Sequence, residues 1–394
     1  MNILLTTAFA IPHIGGLSTH FELLARSLDT AGMLAGRIVG QDCAPSKMRK
    51  ALCALRAFGG KDARRVELLS EMTHLLARSI DGCLASASAD LVHCHDALAT
   101  YAAVNAPAVK ERGLPVVQTV HGPWSRETLT SGVSADSLFY REIRRIEEAA
   151  HASCRTFIAV DQGQADILVD DFGVPREKVS AIHNAVDCAE IHALALSRHK
   201  SSLPQPFFVV PRRLVPKNGV HVAIEALKLL ADRKVHLAIA GEGPLGAELR
   251  RKAEETEVLG RVHFLGHLSR EQLMPLMAES AGVIVPSVPC EGVIEATSLA
   301  VIEAFACGVP VIASNVGGLA ELIQHGRTGL LFPAGDARSL AGNVLRLLQM
   351  PGSERIQLCA AARDAALARW DVKPWFIRVS EAYDMALDAC PAAR

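Results

Sequence analysis

Short apolar, β-branched runs alternate along the chain with stretches of helical period. They fall at Asn2–Thr6, Leu91–Cys94, Val116–Val120, Thr156–Val160 and Val179–Ile182, then at Phe207–Val210, Val235–Ala240, Val262–Leu265, Val283–Val285, Val309–Ala313 and Leu330–Phe332. Each run is apolar at successive rather than alternate positions, as strands covered by helices on both faces must be. Right-handed crossovers between such strands predict an α/β protein of two Rossmann-like, doubly wound domains. The polar stretch Ser197–Pro206 holds two prolines and no apolar period, so it reads as the linker between them. The expected division is a first domain over 1–200, a second over 201–372, and a terminal helix over 373–394 that packs back on the first.

Composition narrows the class. Of 394 residues, 50% are hydrophobic and 21% charged, enough for sizeable cores. Forty-one basic residues against 42 acidic ones give a net charge of −1, so no global field exists to attract nucleic acid. No apolar stretch approaches the ~18 residues of a membrane span, and the opening MNILLTTAFAIP has no basic residue ahead of its short apolar run, unlike a signal peptide. Ten cysteines occur singly, without Cys-x-x-Cys, which predicts free thiols in a reducing cytoplasm and no zinc site. One local shift stands out. Between Lys47 and Arg65 there are seven basic residues and one acid, with Met48, Leu52, Leu55 and Phe58 interleaved. This reads either as a solvated helix face or as a patch for an anionic acceptor, or for weak peripheral contact with an acidic membrane.

Several motifs carry candidate chemistry. Gly15-Gly16 precede a helix that the Thr19-x-x-Glu22 capping box would start, leaving backbone N–H groups for a phosphate. Gly241-Glu242-Gly243-Pro244-Leu245-Gly246 has the Gly-x-Gly-x-x-Gly spacing of a dinucleotide site. It is a poor one: Pro244 lacks an N–H, the motif follows the second strand of its domain, and the next strand ends without a ribose-binding acid. In SVPCEGVIEATSLAVIEAFACGVPVIAS, Ser298 reads as an N-cap, Leu299–Ala306 as a short helix and Gly308 as its stop. Thr297, Ser298 and Leu299 would then present N–H groups and a positive helix end to an anion. Glu303, inside that apolar helix, needs groups to satisfy its oxygens, and a ribose diol would serve. Arg213 and Lys217 follow the FFVV strand and suit a diphosphate. His121 ends a strand and could meet a sugar hydroxyl; Asn184 closes another strand, and Asp187 could cap the segment after it.

These residues resemble glycosyltransferase family 4, the retaining nucleotide-sugar transferases of the GT-B fold. RRLVPKNG, AGEGPLGAEL, VHFLGHLSREQL, the paired glutamates of EATSLAVIEAFACGVPVIAS, and NVGGLAELI with HGRTGLLFPAGD carry the likeness, joined by VHCHD, QTVHGPW and VSAIHNAVD. The resemblance implies two domains facing a central cleft, with a nucleotide-diphosphate sugar, UDP-sugar favoured, as co-substrate. Glu303 would bind the ribose, and Glu295 the donor sugar. Ser298 and Leu299 would hold the diphosphate while Arg213 and Lys217 neutralise it. Gly16 and His121 would come from the first domain, and Gly243 would lie near the nucleotide. Two alternatives stay open: Arg212 in place of Arg213, and Glu291 in place of Glu295. The chain has no Asp-x-Asp, so neither a metal nor another cofactor is expected, and the leaving phosphate would accept the acceptor's proton. The acceptor could be a glycan, a glycolipid or a small molecule. A nucleotide-sugar epimerase and a non-catalytic nucleotide-sugar sensor are the competing readings.

Overall fold

Strand formation follows the apolar runs closely. In the first half, β1 (Ile3–Thr6), β2 (Leu34–Ile38), β3 (Leu91–Cys94), β4 (Val116–Val120), β5 (Thr156–Ala159) and β6 (Val179–Ala181) make a parallel sheet ordered β2-β1-β3-β4-β5-β6. In the second half, β7 (Phe207–Val210), β8 (His236–Ala240), β9 (Val262–Gly266), β10 (Gly282–Val285), β11 (Val311–Ser314) and β12 (Leu330–Phe332) form another, ordered β12-β11-β10-β7-β8-β9. The apolar runs do not announce β2. It is an edge strand of sequence LAGRI, half-exposed over most of its length, so it needs no continuous apolar run.

The computed structural model describes residues 1–12, 16–56, 60–130, 132–197 and 201–388. Gly15, Phe58 and part of the expected linker lie outside the described residues. Contacts divide the chain into one unit of Met1–His183 with Trp375–Arg394, and another of Asn184–Pro374. The division thus falls earlier than residue 200. Val186, Cys188 and Ile191 are buried in the core of the second unit, which draws the segment after His183 into it.

Helices of the first unit are α1 (Gly16–Thr30), α2 (Lys47–Arg56), α3 (Gly60–Ser86), α4 (Ala97–Asn105), α5 (Pro107–Arg112), α6 (Trp124–Thr130), α7 (Leu138–Ser153) and α8 (Gln162–Asp170). The second unit contains α9 (Cys188–Ala195), α10 (Val220–Lys228), α11 (Gly246–Glu255), α12 (Arg270–Glu279), α13 (Leu299–Cys307), α14 (Gly317–Leu322), α15 (Ala337–Gln349) and α16 (Gly352–Arg369). Finally α17 (Val372–Asp388) supplies Trp375 and Tyr383 to the core of the first unit, both fully buried. α1 is already helical at Gly16, so Thr19 sits inside the helix rather than at its cap. Asp187 does cap α9, accepting from the Glu190 N–H at 2.9 Å.

Parallel strands point all their carboxyl ends to one edge of a sheet. A ligand crevice opens there where consecutive connections leave in opposite directions. In the first sheet that point lies between β1 and β3, and in the second between β7 and β10.

Candidate active site

The switch point of the second unit gathers the sequence-predicted cations and helix terminus. Arg212 and Arg213 follow β7, and alternation along the extended chain sends them opposite ways. Arg213 is exposed. Arg212 turns inward, its side chain 9% exposed, and reaches the Glu295 carboxylate at 2.7 Å. It also donates to Ser287 Oγ at 3.0 Å, Ser298 Oγ at 3.3 Å and the Asn218 amide oxygen. Asn218 in turn donates to the Arg213 carbonyl at 2.8 Å. Arg212 therefore ties the loop after β7 to the segment after β10, while Arg213 presents its guanidinium to solvent. Glu295 is the carboxylate in this web. Glu291 is exposed in a tight turn between Cys290 and Val293, with φ of 49°.

Ser298 is the N-cap residue of α13, but its hydroxyl makes no capping bond and accepts from Arg212 instead. Thr297 and Ser298 are buried, Leu299 half-buried. Lys217 lies in a 3-10 turn, Pro216–Asn218, that ends at Gly219 with φ of 60°. A Cβ at Gly219 would overlap the Pro286 carbonyl, so the β7 and β10 loops approach backbone to backbone. Gly243 meets the Leu214 carbonyl in the same manner.

Glu303 sits one turn into α13, with 12% of its side chain exposed. Burial pushes its carboxyl above the ordinary value, and Arg270 at the start of α12 opposes that shift across 2.9 Å. Arg270 occupies Oε1. It is the satisfying partner that the sequence pattern left unnamed.

The first unit concentrates imidazoles near the carboxyl ends of β3 and β4. His93 Nδ1 pairs with the Tyr383 hydroxyl, and its Nε2 with Thr119 Oγ1, both at 2.8 Å. His95 Nδ1 lies 3.5 Å from Nε2 of the half-buried His121. His20, from α1, packs edge-on to the His121 ring with centroids 4.9 Å apart. Burial, with a smaller contribution from His20, lowers His93 to about 3; burial and the neighbouring rings hold His95 well below its ordinary value. Both are neutral imidazoles at ordinary pH. Donor atoms of His20, His95 and His121 all lie within 4.8 Å of one another, against a spacing of about 3.4 Å between ligands of a tetrahedral zinc. Beside them Asp96 caps α4 through the Ala99 N–H at 2.7 Å and clamps the loop after β1, accepting from Thr7 Oγ1 and the Ala8 N–H. Gly16, the other residue expected from this unit, is exposed at the start of α1.

The family described as Glycosyl transferases group 1 matches residues 196–365, and the one described as Glycosyltransferase Family 4 matches residues 14–190. The chain belongs with the family 4-like glycosyltransferases and has the GT-B fold. It is 29% identical over 276 residues to a glycogen synthase of Mycobacterium tuberculosis, a match covering 69% of this chain and 63% of that one. The chain therefore spans less than two thirds of that relative's length. An uncharacterized glycosyltransferase of Methanocaldococcus jannaschii is 27% identical over 85% of both chains. Among solved structures, the Anabaena protein HepE in complex with UDP-glucose superposes with a TM-score of 0.73 at 19% identity, over 98% of this chain and 100% of that one. Sucrose-phosphate synthase of Thermosynechococcus elongatus gives 0.74 at 20%, over 99% and 100%.

Within this family 4-like chain the residues expected from sequence fall into two sets. Arg212, Glu295 and Ser298 form one bonded web, with Arg213, Lys217, Thr297 and Leu299 on the two loops it joins and Glu303 one turn further along α13. Gly16 and His121 belong to the other unit. Sequence reading missed Asn218, Ser287 and Arg270, which act only as partners of these groups. It also missed His20 and His95; only His95 had a local signal, the His-x-His of VHCHD. Among the described residues, no helix is long and apolar enough to cross a membrane, and the nine cysteines are free thiols.

Proposed function

We propose that this protein transfers a glycosyl group, with retention of configuration and without a metal, from a nucleoside-diphosphate sugar to an acceptor hydroxyl. UDP is the favoured nucleotide. The carrying observation is the second unit's switch point, where the exposed Arg213, Lys217 and the N-terminus of α13 stand on loops that Arg212 locks together. The UDP-glucose complex of HepE supports the choice of nucleotide. In this reading Glu303 accepts from the ribose hydroxyls, Glu295 from donor sugar hydroxyls, and the N–H groups near Thr297, Ser298 and Leu299 face the diphosphate. Gly243 lies beside the nucleotide, and Gly16 and His121 serve phosphate and sugar from the first unit. The bond between the anomeric carbon and the phosphate oxygen breaks as the acceptor oxygen bonds to that carbon on the same face. The acceptor's proton leaves with the phosphate, whose growing charge meets fixed cations and dipoles. The free thiols support a cytoplasmic setting.

The test is a melting screen with UDP, GDP, ADP, CDP and dTDP. A ligand at 100 times its Kd stabilises by about 2.7 kcal/mol, a shift of roughly 5–10 °C for a unit of this size. Failure of all five to move the transition would overturn the donor assignment. Loss of transfer on chelation, restored by zinc, would overturn metal independence. Met48 is 73% exposed on α2 beside the exposed Lys47 and Lys50, which supports weak peripheral contact with an acidic membrane. Arg49 and Arg65 are engaged elsewhere, with Glu71 and over the Phe139 ring.

A further inference from the structure

The first unit holds a pocket of about 240 Å³ whose inner end is the middle of β4 and whose outer end is His121. Leu17, Leu69, Met72, Leu98 and Trp124 supply much of its wall. Among the described residues, no lysine or arginine lines it. Two of its carboxylates are already committed: Asp96 to the β1 loop and α4, Glu147 to the Trp124 N–H at 2.6 Å and to Ser125.

At the inner end lie two polar side chains that a sheet core does not ordinarily hold. Gln118 is 2% exposed in the middle of β4, and His151, from α7, is 5% exposed. Gln118 Nε2 and His151 Nε2 are 3.5 Å apart, a contact at the limit of a hydrogen bond. Among the described residues, the amide oxygen of Gln118 and Nδ1 of His151 have no partner. Phe157 and Phe172 pack edge-on against the His151 ring and fix it. Burial lowers His151 to about 4, so it is uncharged at ordinary pH. Buried polar groups are almost always bonded, and an unbonded pair lining a cavity marks a place for a ligand atom.

We propose that the acceptor carries a compact, uncharged, two-ring-sized apolar body with a polar group at each end, seated in this pocket between Gln118 and His151 at one end and His121 at the other. Its role as acceptor rests on the transfer reading above, through His121. Size, charge and spacing each support this class. A dry cavity of about 150 Å³ admits benzene, so 240 Å³ takes a larger ring system. An anion would face carboxylates with no cation in the lining. A free sugar would bring more hydroxyls than the two open polar atoms at the inner end can serve. His121 lies just past the end of β4, three residues from Gln118 or about 10 Å along the backbone, a length that a fused bicycle with hydroxyls at opposite ends spans with its hydrogen bonds.

The full chain is titrated with 2,6-dihydroxynaphthalene, naphthalene-2,6-dicarboxylate and methyl glucoside by calorimetry. The diol binds at least tenfold tighter than either of the others. Gln118→Leu weakens the diol about tenfold, and Met72→Trp, which fills the pocket from its half-exposed wall, abolishes binding. Both variants keep the wild-type circular dichroism spectrum and the wild-type melting shift with UDP. Equal or tighter binding of the dicarboxylate or the glucoside, no binding of the diol, or undiminished binding to Met72→Trp overturns the proposal. Diol binding with these sensitivities in a protein that no nucleoside diphosphate stabilises would sink the donor assignment and leave the pocket standing; the opposite pattern sinks the pocket alone.

Discussion

Glu303→Ala isolates the proposed ribose contact. In the folded protein the carboxylate is 12% exposed, with Arg270 on one oxygen at 2.9 Å. In the proposed reading the remaining lone pairs accept from the two ribose hydroxyls. Hydrogen bonds to a charged group contribute about 1.5–3 kcal/mol each. Competition from Arg270 and the cost of holding a buried anion reduce the pair to about 2–3 kcal/mol in total, a loss of roughly 30–150-fold in nucleoside diphosphate affinity. Arg270 keeps 24% of its side chain exposed, so its lost partner is replaced by water, and stability of the free protein falls by no more than about 1 kcal/mol. The assay is calorimetry with the preferred diphosphate and with its 2′,3′-dideoxy form. Wild type should lose 30-fold or more when the hydroxyls are removed, and Glu303→Ala should bind both forms alike. Binding of the normal diphosphate by Glu303→Ala within threefold of wild type would refute the assignment, as would a wild type indifferent to the hydroxyls.

Arg213→Ala and Lys217→Ala should each weaken a nucleoside diphosphate about tenfold, or ~1.4 kcal/mol, while binding of the bare nucleoside stays unchanged; calorimetry with both ligands reads the difference. Gly219→Ala should destabilise the second unit by about 2 kcal/mol or more, since φ is 60° and the new Cβ meets the Pro286 carbonyl. Gly260→Ala, facing open space, should stay within about 0.5 kcal/mol in the same urea titration. His93 titrates near 6.5 when unfolded and about 3 when folded, so its contribution is whole above pH 6.5 and is lost as pH falls toward 3. At pH 5 this one residue should have withdrawn about 2 kcal/mol from the first unit, a fall that urea midpoints would show and that His93→Gln would flatten.

How far the sequence carried the structure depended on where each signal resided. Phe207–Val210 and Leu330–Phe332 were legible because a helix-covered strand is apolar on both sides, and composition alone records that. Leu34–Ile38 was not, because an edge strand can hold Gly36 and Arg37 without burying either face. At the site, Gly308 ends α13 through its left-handed backbone, a property of the local chain, whereas Ser298 stands at the N-cap with its hydroxyl accepting from Arg212. Which of Arg212 and Arg213 turns inward could not be read the same way. It depends on which of two adjacent side chains points toward Glu295, more than eighty residues along the chain. Arg270 on Glu303, and Tyr383 on His93, were invisible for the same reason. Such pairs exist only once crossovers have brought strand ends together, and no spacing in the chain encodes them.

The return of α17 has a consequence for biosynthesis. Trp375 and Tyr383 fill the interior of a unit whose other residues are translated first, with all of Asn184–Pro374 made in between. On the ribosome the earlier lobe must wait, its imidazole cluster short of a wall, while the later one emerges and is free to fold without it. A premature stop just after Pro374 therefore damages the earlier unit most, and leaves a complete second core attached to an unfinished first one.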